Sequence, residues 1–153
     1  MHEAIRLAAD SMRANQGGPF GAVVVRDGEI VGRGSNQVLA QNDPTAHAEI
    51  VAIRDACRTL RTFRLDECEI YTSCEPCPMC LATSLWARIE RVYFAANRDD
   101  AADAGFDDAV FYRYFEGGVE DRSLMPVAQE TLPPAQRIAP FTEWTNTATR
   151  IDY

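Results

Sequence analysis

The chain has 153 residues, and 23 acidic side chains against 15 basic ones give a formal charge of −8. This length suits one domain, and a composition that is 46% hydrophobic and 25% charged is typical of globular proteins and excludes an intrinsically disordered chain. The acidic balance disfavours a nucleic-acid partner, and the scarcity of histidine, with only His2 and His47, excludes a metal site that needs three histidine ligands.

We expect a cytoplasmic protein that has no membrane partner. No run approaches the roughly 20 apolar residues that span a bilayer, and the N-terminal residues, with Glu3 and no apolar block, do not resemble a secretory signal. The five cysteines lie between Cys57 and Cys80, and their odd number favours reduced thiols and metal ligands over a disulfide framework.

The first elements predicted along the chain are a helix and a hairpin. Apolar side chains recur at helical spacing near the N-terminus, so we expect an amphipathic helix that ends near residues 15–18. The residues of this apolar stripe are Ile5, Ala8, Ala9 and Met12. Two β-rich runs, residues 20–26 and 29–33, flank Asp27 and Gly28, a pair that is typical of a tight hairpin turn.

The middle of the chain predicts two further helices, each followed by a strand. Asp43 and Pro44 suit the N-cap and first turn of one helix, and a second helix is expected from Glu75 to about Arg88. The apolar stripe of the first of these helices consists of Ile50, Ile53, Ala56 and Cys57. The strands cover residues 70–72 and 91–95. This order predicts an α/β layered domain in which helices flank a mixed sheet.

Beyond Ala96 the pattern is weaker. An aspartate-rich segment that ends at Asp108 suits either helix or loop, residues 125–129 suit a strand, and a last helix is expected to begin within residues 140–144. The sequence contains no internal repeat or interdomain linker. Residues 1–153 are therefore expected to form a single domain.

Two polar motifs at predicted helix starts carry the chemistry. The first contains His47 and Glu49, and the second contains Pro76, Cys77 and Cys80. Zinc prefers imidazole nitrogen and thiolate sulfur, and a catalytic zinc site keeps three protein ligands and one open position. Cysteines three residues apart share one face of a first helical turn, where the helix dipole favours thiolates. The spacing therefore predicts Zn2+ on His47, Cys77 and Cys80.

Glu49 is the predicted proton carrier. On an ideal helix it lies about 200° round from His47, so the two side chains converge only if His47 occupies an irregular first turn. Glu49 would then take a proton from zinc-bound water and deliver it to a leaving nitrogen. A His-x-Glu motif joined to Pro-Cys-x-x-Cys is the signature of zinc-dependent nucleobase deaminases.

Other interpretations of these residues stay open. The motifs could supply buried apolar thiols and a core histidine, or a structural zinc site completed by Cys74. An iron–sulfur cluster is disfavoured because Ser84 stands where a cysteine is needed. Outside the motifs, the sequence alone favours structural roles for four further residues. Asn36 suits a turn and Phe20 suits the core. Asp108 suits a solvated surface and Tyr153 a frayed terminus.

At its motifs the chain resembles the cytidine-deaminase superfamily and, within it, the guanine deaminase branch. The shared stretches are Gly17–Val23, Asn42–Glu49, Tyr71–Cys80, Ala104–Asp108 and the terminal Tyr153. The resemblance implies a three-layer αβα sandwich with a five-stranded mixed sheet. It also implies a homodimer in which a C-terminal segment, about residues 134–153, is exchanged between subunits.

The resemblance further implies a reaction and a site. The expected reaction is zinc-dependent hydrolysis of guanine to xanthine and ammonia, with Glu49 as the proton shuttle. The small-molecule purine would contact Asn36 and Asp108, pack against Phe20 and be enclosed by the partner subunit's Tyr153.

Several other functions stay open at this point. Guanosine deaminases share the motifs, and spacing does not show whether the pocket accepts ribose. A tRNA adenosine deaminase shares the stretch from Asp43 to Glu49 but is disfavoured by the charge of −8. Cytosine or pterin deamination is compatible with the same zinc chemistry, whereas a non-enzymatic zinc module leaves Glu49 unexplained.

Overall fold

The computed structural model describes residues 1–116 and 124–151. The chain divides into two units, Met1–Gly118 and Val119–Tyr153. The first unit contains the sheet and both polar motifs, and the second contains one helix within its described residues. None of the helices in the described part of the chain has the length and apolar character that crossing a bilayer requires.

The described residues of the first unit form six helices and four strands. Its helices are α1 (His2–Arg13), α2 (Val38–Gln41), α3 (Ala48–Leu60), α4 (Pro78–Trp86), α5 (Arg98–Asp103) and α6 (Ala109–Glu116). Its strands are β1 (Gly21–Arg26), β2 (Glu29–Ser35), β3 (Cys68–Cys74) and β4 (Arg91–Ala96).

The sheet is mixed, as the sequence predicts. Its order is β2–β1–β3–β4, with β1 antiparallel to both of its neighbours and β3 parallel to β4. The described residues supply four strands, so the expectation of a five-stranded sheet is wrong for them. Asp27 and Gly28 both have positive φ, 52° and 79°, as a tight turn between twisted antiparallel strands requires, and the predicted hairpin is confirmed.

The close approach of α3 to β2 fixes the start of α3. A Cβ atom added at Gly34 would lie 2.1 Å from the carbonyl oxygen of Ala48, and one at Gly32 would lie 2.4 Å from that of Ala52. The face of α3 against the strand is made of small residues that are fully buried, including Ala56. The backbones of α3 and β2 are therefore in direct contact, and this contact fixes the position of the His-x-Glu motif.

The buried face of α1 differs from the predicted apolar stripe. Its buried residues are Ala4, Ala8 and Ser11. Ile5 and Met12 are instead 46% and 48% exposed. The reason is again a close contact, because a Cβ atom at Gly21 would lie 2.2 Å from the helix backbone. Small side chains permit this approach and large ones do not.

Two helices begin later than the sequence predicts. The N-cap of α3 is His47 instead of Asp43, because the Asp43 carboxylate accepts hydrogen bonds from the backbone N–H and the hydroxyl of Thr45, at 2.8 and 2.7 Å, and stabilises a turn. α4 begins at Pro78 instead of Glu75. In both cases a residue of the predicted metal site becomes the N-cap of the helix.

The second unit corrects two further predictions. Residues 125–129 form no strand in the structure, and Pro126 lacks the N–H that a strand ladder needs. α7 covers Pro134–Asn146, so it begins before residues 140–144 and contains Pro140 in its interior.

Candidate active site

Three potential metal ligands converge where α3 and α4 begin. His47 and Cys77 are the N-cap residues of these helices, and Cys80 lies in the first turn of α4. Nδ1 of His47 is 3.7 Å from Sγ of Cys77 and 3.6 Å from Sγ of Cys80, and the two sulfur atoms are 3.7 Å apart. The three ligand atoms thus form a nearly equilateral triangle.

These spacings fit one tetrahedral zinc ion. Bonds of about 2.3 Å to sulfur and about 2.0–2.1 Å to nitrogen place tetrahedral sulfur atoms about 3.8 Å apart and sulfur and nitrogen about 3.6 Å apart. The observed distances match both values closely. Cys74 lies outside the ligand group formed by the described residues, since its Sγ contacts the carbonyl oxygen of Asn97 at 3.6 Å. Among the described residues, the donor set therefore has three protein ligands, the number that catalytic zinc sites use.

Glu49 is buried beside this cluster. It is the second residue of α3, is only 8% exposed and lines the same cavity as His47 and Cys77. His47 has φ −68° and ψ 155°, which is extended backbone outside the helix, so the irregular first turn needed for convergence is present. Burial raises the pKa of the Glu49 carboxyl, and the nearby Cys77 sulfur raises it further. Such a carboxyl can hold a proton closer to neutral pH than an exposed one.

The two ligand thiols have opposite pKa shifts. The hydrogen bond from Cys80 and the neighbouring His47 lower the pKa of the Cys77 thiol to about 4. The pKa of Cys80 is raised, because its thiol donates that hydrogen bond and is buried. The hydrogen bond with Cys77 also raises the pKa of His47. A cation that binds here therefore competes with protons at the two groups whose pKa is raised, Cys80 and His47.

A cavity of about 420 Å³ opens beside the ligand cluster. It brings together three of the four residues that the sequence predicts to meet substrate, namely Phe20, Asn36 and Asp108. The fourth, Tyr153, lies outside the described residues. Burial raises the pKa of the Asp108 carboxyl, and the charge of Cys77 adds to this shift.

Asn36 is oriented by two backbone groups. Its Oδ1 accepts hydrogen bonds from the N–H groups of Gly18 and Val38, both at 3.3 Å. An amide oxygen has two lone pairs, so the Nδ2 group is the part of this buried side chain that is left for a ligand. Gly17 makes the arrangement possible, because a Cβ atom there would lie 2.2 Å from Oδ1.

Sequence reasoning missed a second aromatic residue in the cavity. Phe106 packs edge-on against Phe20, with ring centroids 5.0 Å apart and an interplanar angle of 84°. It lies within the stretch Ala104–Asp108, which carries part of the family resemblance. An aromatic residue inside that stretch is the signal from which this contact could be predicted.

A polar group around the Cys77 loop was also missed. Arg98 forms an ion pair of 3.1 Å with Glu75, and its guanidinium lies 4.3 Å from the ring centroid of Tyr112. The Tyr112 hydroxyl donates a hydrogen bond of 2.9 Å to the carbonyl oxygen of Pro76. These contacts join residues far apart in the chain, so no local spacing could reveal them.

Comparison with known proteins finds both family and full-length relatives. A model of the cytidine and deoxycytidylate deaminase zinc-binding region matches residues 1–96. The guanine deaminase of Bacillus subtilis is 48% identical over 153 residues, which is 100% of this chain and 96% of the relative. A crystal structure of the guanine deaminase from Bacillus subtilis matches with a TM-score of 0.92 over 99% of this chain and 95% of that chain.

Two other similarities are shorter. A solved structure of a guanine deaminase from Nitrosomonas europaea is 32% identical, with a TM-score of 0.65 over 69% of this chain and 62% of that chain. A tRNA-specific adenosine deaminase of Aquifex aeolicus is 49% identical over 78 residues, which is 51% of this chain and 52% of the relative. The full-length similarity therefore lies with the Bacillus subtilis protein, and the tRNA deaminase covers about half of the chain.

Proposed function

Because this chain belongs to the cytidine and deoxycytidylate deaminase family, we propose that it is a zinc-dependent guanine deaminase, which converts guanine and water to xanthine and ammonia. The observation that carries the proposal is a single cavity lined by buried Glu49 and by the potential ligands His47 and Cys77. The full-length similarity to the guanine deaminase of Bacillus subtilis supports guanine as the substrate.

The zinc site would consist of His47, Cys77 and Cys80. When bound there, zinc supplies Lewis-acid activation of the attacking water. The chain's own contribution is to fix the ligands at the cavity wall. Pro76 and Pro78 restrict the backbone on either side of Cys77, and the two N-cap positions place the ligands at neighbouring helix starts.

We assign the proton transfers to the Glu49 carboxyl. Deamination transfers both protons of the attacking water: one goes to the ring nitrogen and stays there, and the other goes to the amino group, which departs as ammonia while the carbon that held it becomes a carbonyl. A buried carboxyl with a raised pKa suits both the acceptance and the release of each proton. No other role explains a buried acid beside the ligand cluster as simply.

The cavity lining supports recognition of a purine ring. Nδ2 of Asn36 would donate to a ring acceptor, and the Asp108 carboxylate would accept from a ring N–H or an amino group. Phe20 would pack against the ring face, since flat apolar surfaces with a few polar groups characterise small-molecule sites. The partner subunit's Tyr153 would close the pocket.

We further propose a homodimer in which a C-terminal segment, about residues 134–153, is exchanged. Exposed apolar side chains support this assembly. Leu85 and Trp86, neighbours at the end of α4, are 71% and 69% exposed, and in the other unit Phe141 of α7 is 71% exposed. Adjacent exposed large apolar side chains, such as Leu85 and Trp86, are typical of interaction surfaces. A dimer would cover them.

The proposed location is the cytoplasm. The five cysteines are free thiols, the state that reducing compartments maintain. The net charge of −8 supports a small ligand in preference to a nucleic acid.

A substrate panel tests the proposed function. The zinc-loaded protein is supplied with purines, pyrimidines and their nucleosides, and ammonia release and products are measured. We expect guanine to give the highest kcat/KM and xanthine to be its product. Faster formation of xanthosine from guanosine would show that the nucleoside, and not guanine, is the substrate. Tight, salt-sensitive tRNA binding would favour adenosine deamination in tRNA. Absence of ammonia from every purine would contradict the proposal.

A further inference from the structure

A polar group that we call the brace joins the Cys77 loop to α6. It consists of the side chains of Glu75, Arg98 and Tyr112, with the carbonyl group of Pro76. Besides its 3.1 Å ion pair, Arg98 donates its backbone N–H to the Glu75 carboxylate at 3.1 Å. Its guanidinium covers the ring of Tyr112, whose hydroxyl holds the Pro76 carbonyl.

The chemistry of the loop makes the Pro76 carbonyl important. Cys77 stands between Pro76 and Pro78, and proline has no backbone N–H. At Pro76 itself a neighbouring element can therefore hold the backbone only through the carbonyl group, while the preceding Glu75 donates its N–H to the carbonyl oxygen of Ala96 at 2.8 Å. Tyr112 is 7% exposed, and its hydrogen bond to Pro76 is buried. Because a buried acceptor is costly to leave without a donor, the position of this carbonyl depends on the tyrosine.

Tyr112 also lies on the helix that follows a cavity residue. Asp108 directly precedes α6, where its carbonyl oxygen accepts a hydrogen bond of 2.9 Å from the N–H of Phe111, and Tyr112 comes four positions later, about one helical turn away. Asp108 lines the cavity, while Tyr112 contacts the loop that carries Cys77. One helix turn thus connects a proposed substrate contact to a metal ligand.

We propose that Tyr112 is a positioning residue that fixes the separation between Asp108 and Cys77. Its hydroxyl anchors the ligand loop, and Arg98 and Glu75 hold its ring and the loop together through a cation–π contact and an ion pair. The part of this inference that concerns Asp108 rests on the proposed function. The part that concerns metal retention does not.

The test compares Tyr112→Phe with a matched control, Tyr71→Phe. Tyr71 donates its hydroxyl to Glu69 at 2.8 Å and does not line the cavity, so the control removes one tyrosine hydrogen bond elsewhere. We expect Tyr112→Phe to release zinc to a chromophoric chelator about tenfold faster, and to raise the KM for guanine about tenfold with a smaller change in kcat. The zinc-release rate and the KM are measured at a temperature where circular dichroism shows that the variants are folded. A loss of stability alone would then change neither quantity.

A zinc-release rate or a KM that stays within twofold of the Tyr71→Phe value overturns the proposal. If Tyr112→Phe does not fold, Arg98→Met is used in its place, and the same expected and contradicting results apply. The Arg98 side chain is 43% exposed, so its substitution does not disturb core packing. If the unaltered protein releases no ammonia from guanine, the proposed function fails, and the zinc-release rate alone decides whether the brace holds the metal loop.

Discussion

The carboxyl of Glu49 is buried although acidic side chains are almost never fully buried without a partner. We predict that Glu49→Gln, which keeps the shape but cannot carry the proton, lowers kcat about 10²–10⁴-fold. Zinc content should stay near one ion per chain, because Glu49 is not a ligand. Ammonia release and elemental analysis measure the two quantities. Glu69→Gln on the sheet is the control, and near-normal turnover by Glu49→Gln would refute its role.

At this scale the sequence predicts the ligand cluster well and the brace not at all. His47, Cys77 and Cys80 are rare residue types at spacings that zinc chemistry restricts, so few other arrangements were possible. Tyr112 and Arg98 are common structural residues whose partners lie far away in the chain. The contacts of Asn36 and Asp108 with substrate stay predictions.

Among the secondary structure elements, the contact between β2 and α3 determines where His47 and Glu49 lie. We predict that Gly34→Ala destabilises the fold by about 1–3 kcal/mol and also lowers kcat. The added Cβ atom would lie 2.1 Å from the carbonyl oxygen of Ala48 and 2.4 Å from the backbone nitrogen of Ala52, and backbone atoms cannot rotate away. Urea unfolding and ammonia release measure the two effects.

Gly28→Ala in the hairpin is the control for this prediction. Gly28 has φ +79°, and no described atom beyond its own residue and its two chain neighbours lies within 4 Å of an added Cβ atom, so the substitution costs about 1–2 kcal/mol through the backbone alone. Its kcat should match that of the unaltered protein. Equal kcat values for the two alanine variants would show that the β2–α3 contact does not set the site geometry.

The sequence predicts most helices and strands of the first unit but not their ends or faces. Periodicity identifies α3, yet its start depends on whether Asp43 caps a helix or closes a turn with Thr45. The buried face of α1 depends on the glycine opposite it, because Gly21 lets the backbone come close and so excludes Ile5 from the contact. The ends and buried faces of these helices are determined by tertiary contacts, which a local sequence pattern does not describe.

At the scale of the whole molecule, the proposed exchange of C-terminal segments predicts complementation. Glu49→Gln and Tyr153→Ala should each be nearly inactive. Dimers formed by unfolding and refolding an equal mixture should regain about a quarter of full activity, since half are mixed and each mixed dimer has one intact site. That site combines Glu49 of one chain with the partner's Tyr153.

A mixture of Glu49→Gln with the doubly substituted chain is the matched control, because it contains no intact Glu49. Activity in the test mixture no higher than the sum of the separate variants would show that each tail closes its own subunit. Full activity of Tyr153→Ala alone would remove Tyr153 from the pocket altogether.

Composition predicts a globular protein, the order of the predicted elements predicts an α/β domain and the motifs predict its chemistry, but the number of strands needed the structure. The segment at residues 125–129 has apolar residues suited to a strand, and Pro126 and its exposure count against one. A pattern of five residues cannot decide whether a neighbouring strand is available for pairing.

The two backbone amides that hold Oδ1 of Asn36 have a consequence for selectivity. The side chain cannot turn over without leaving the N–H groups of Gly18 and Val38 facing its NH2 group, so it can only donate to a ligand. If Asn36 contacts the substrate as proposed, a heterocycle whose tautomer carries a hydrogen on the ring atom facing Nδ2 would place two donors against each other and bind weakly. The proposed contact would then discriminate between tautomers of the same size and shape by the position of their lone pairs.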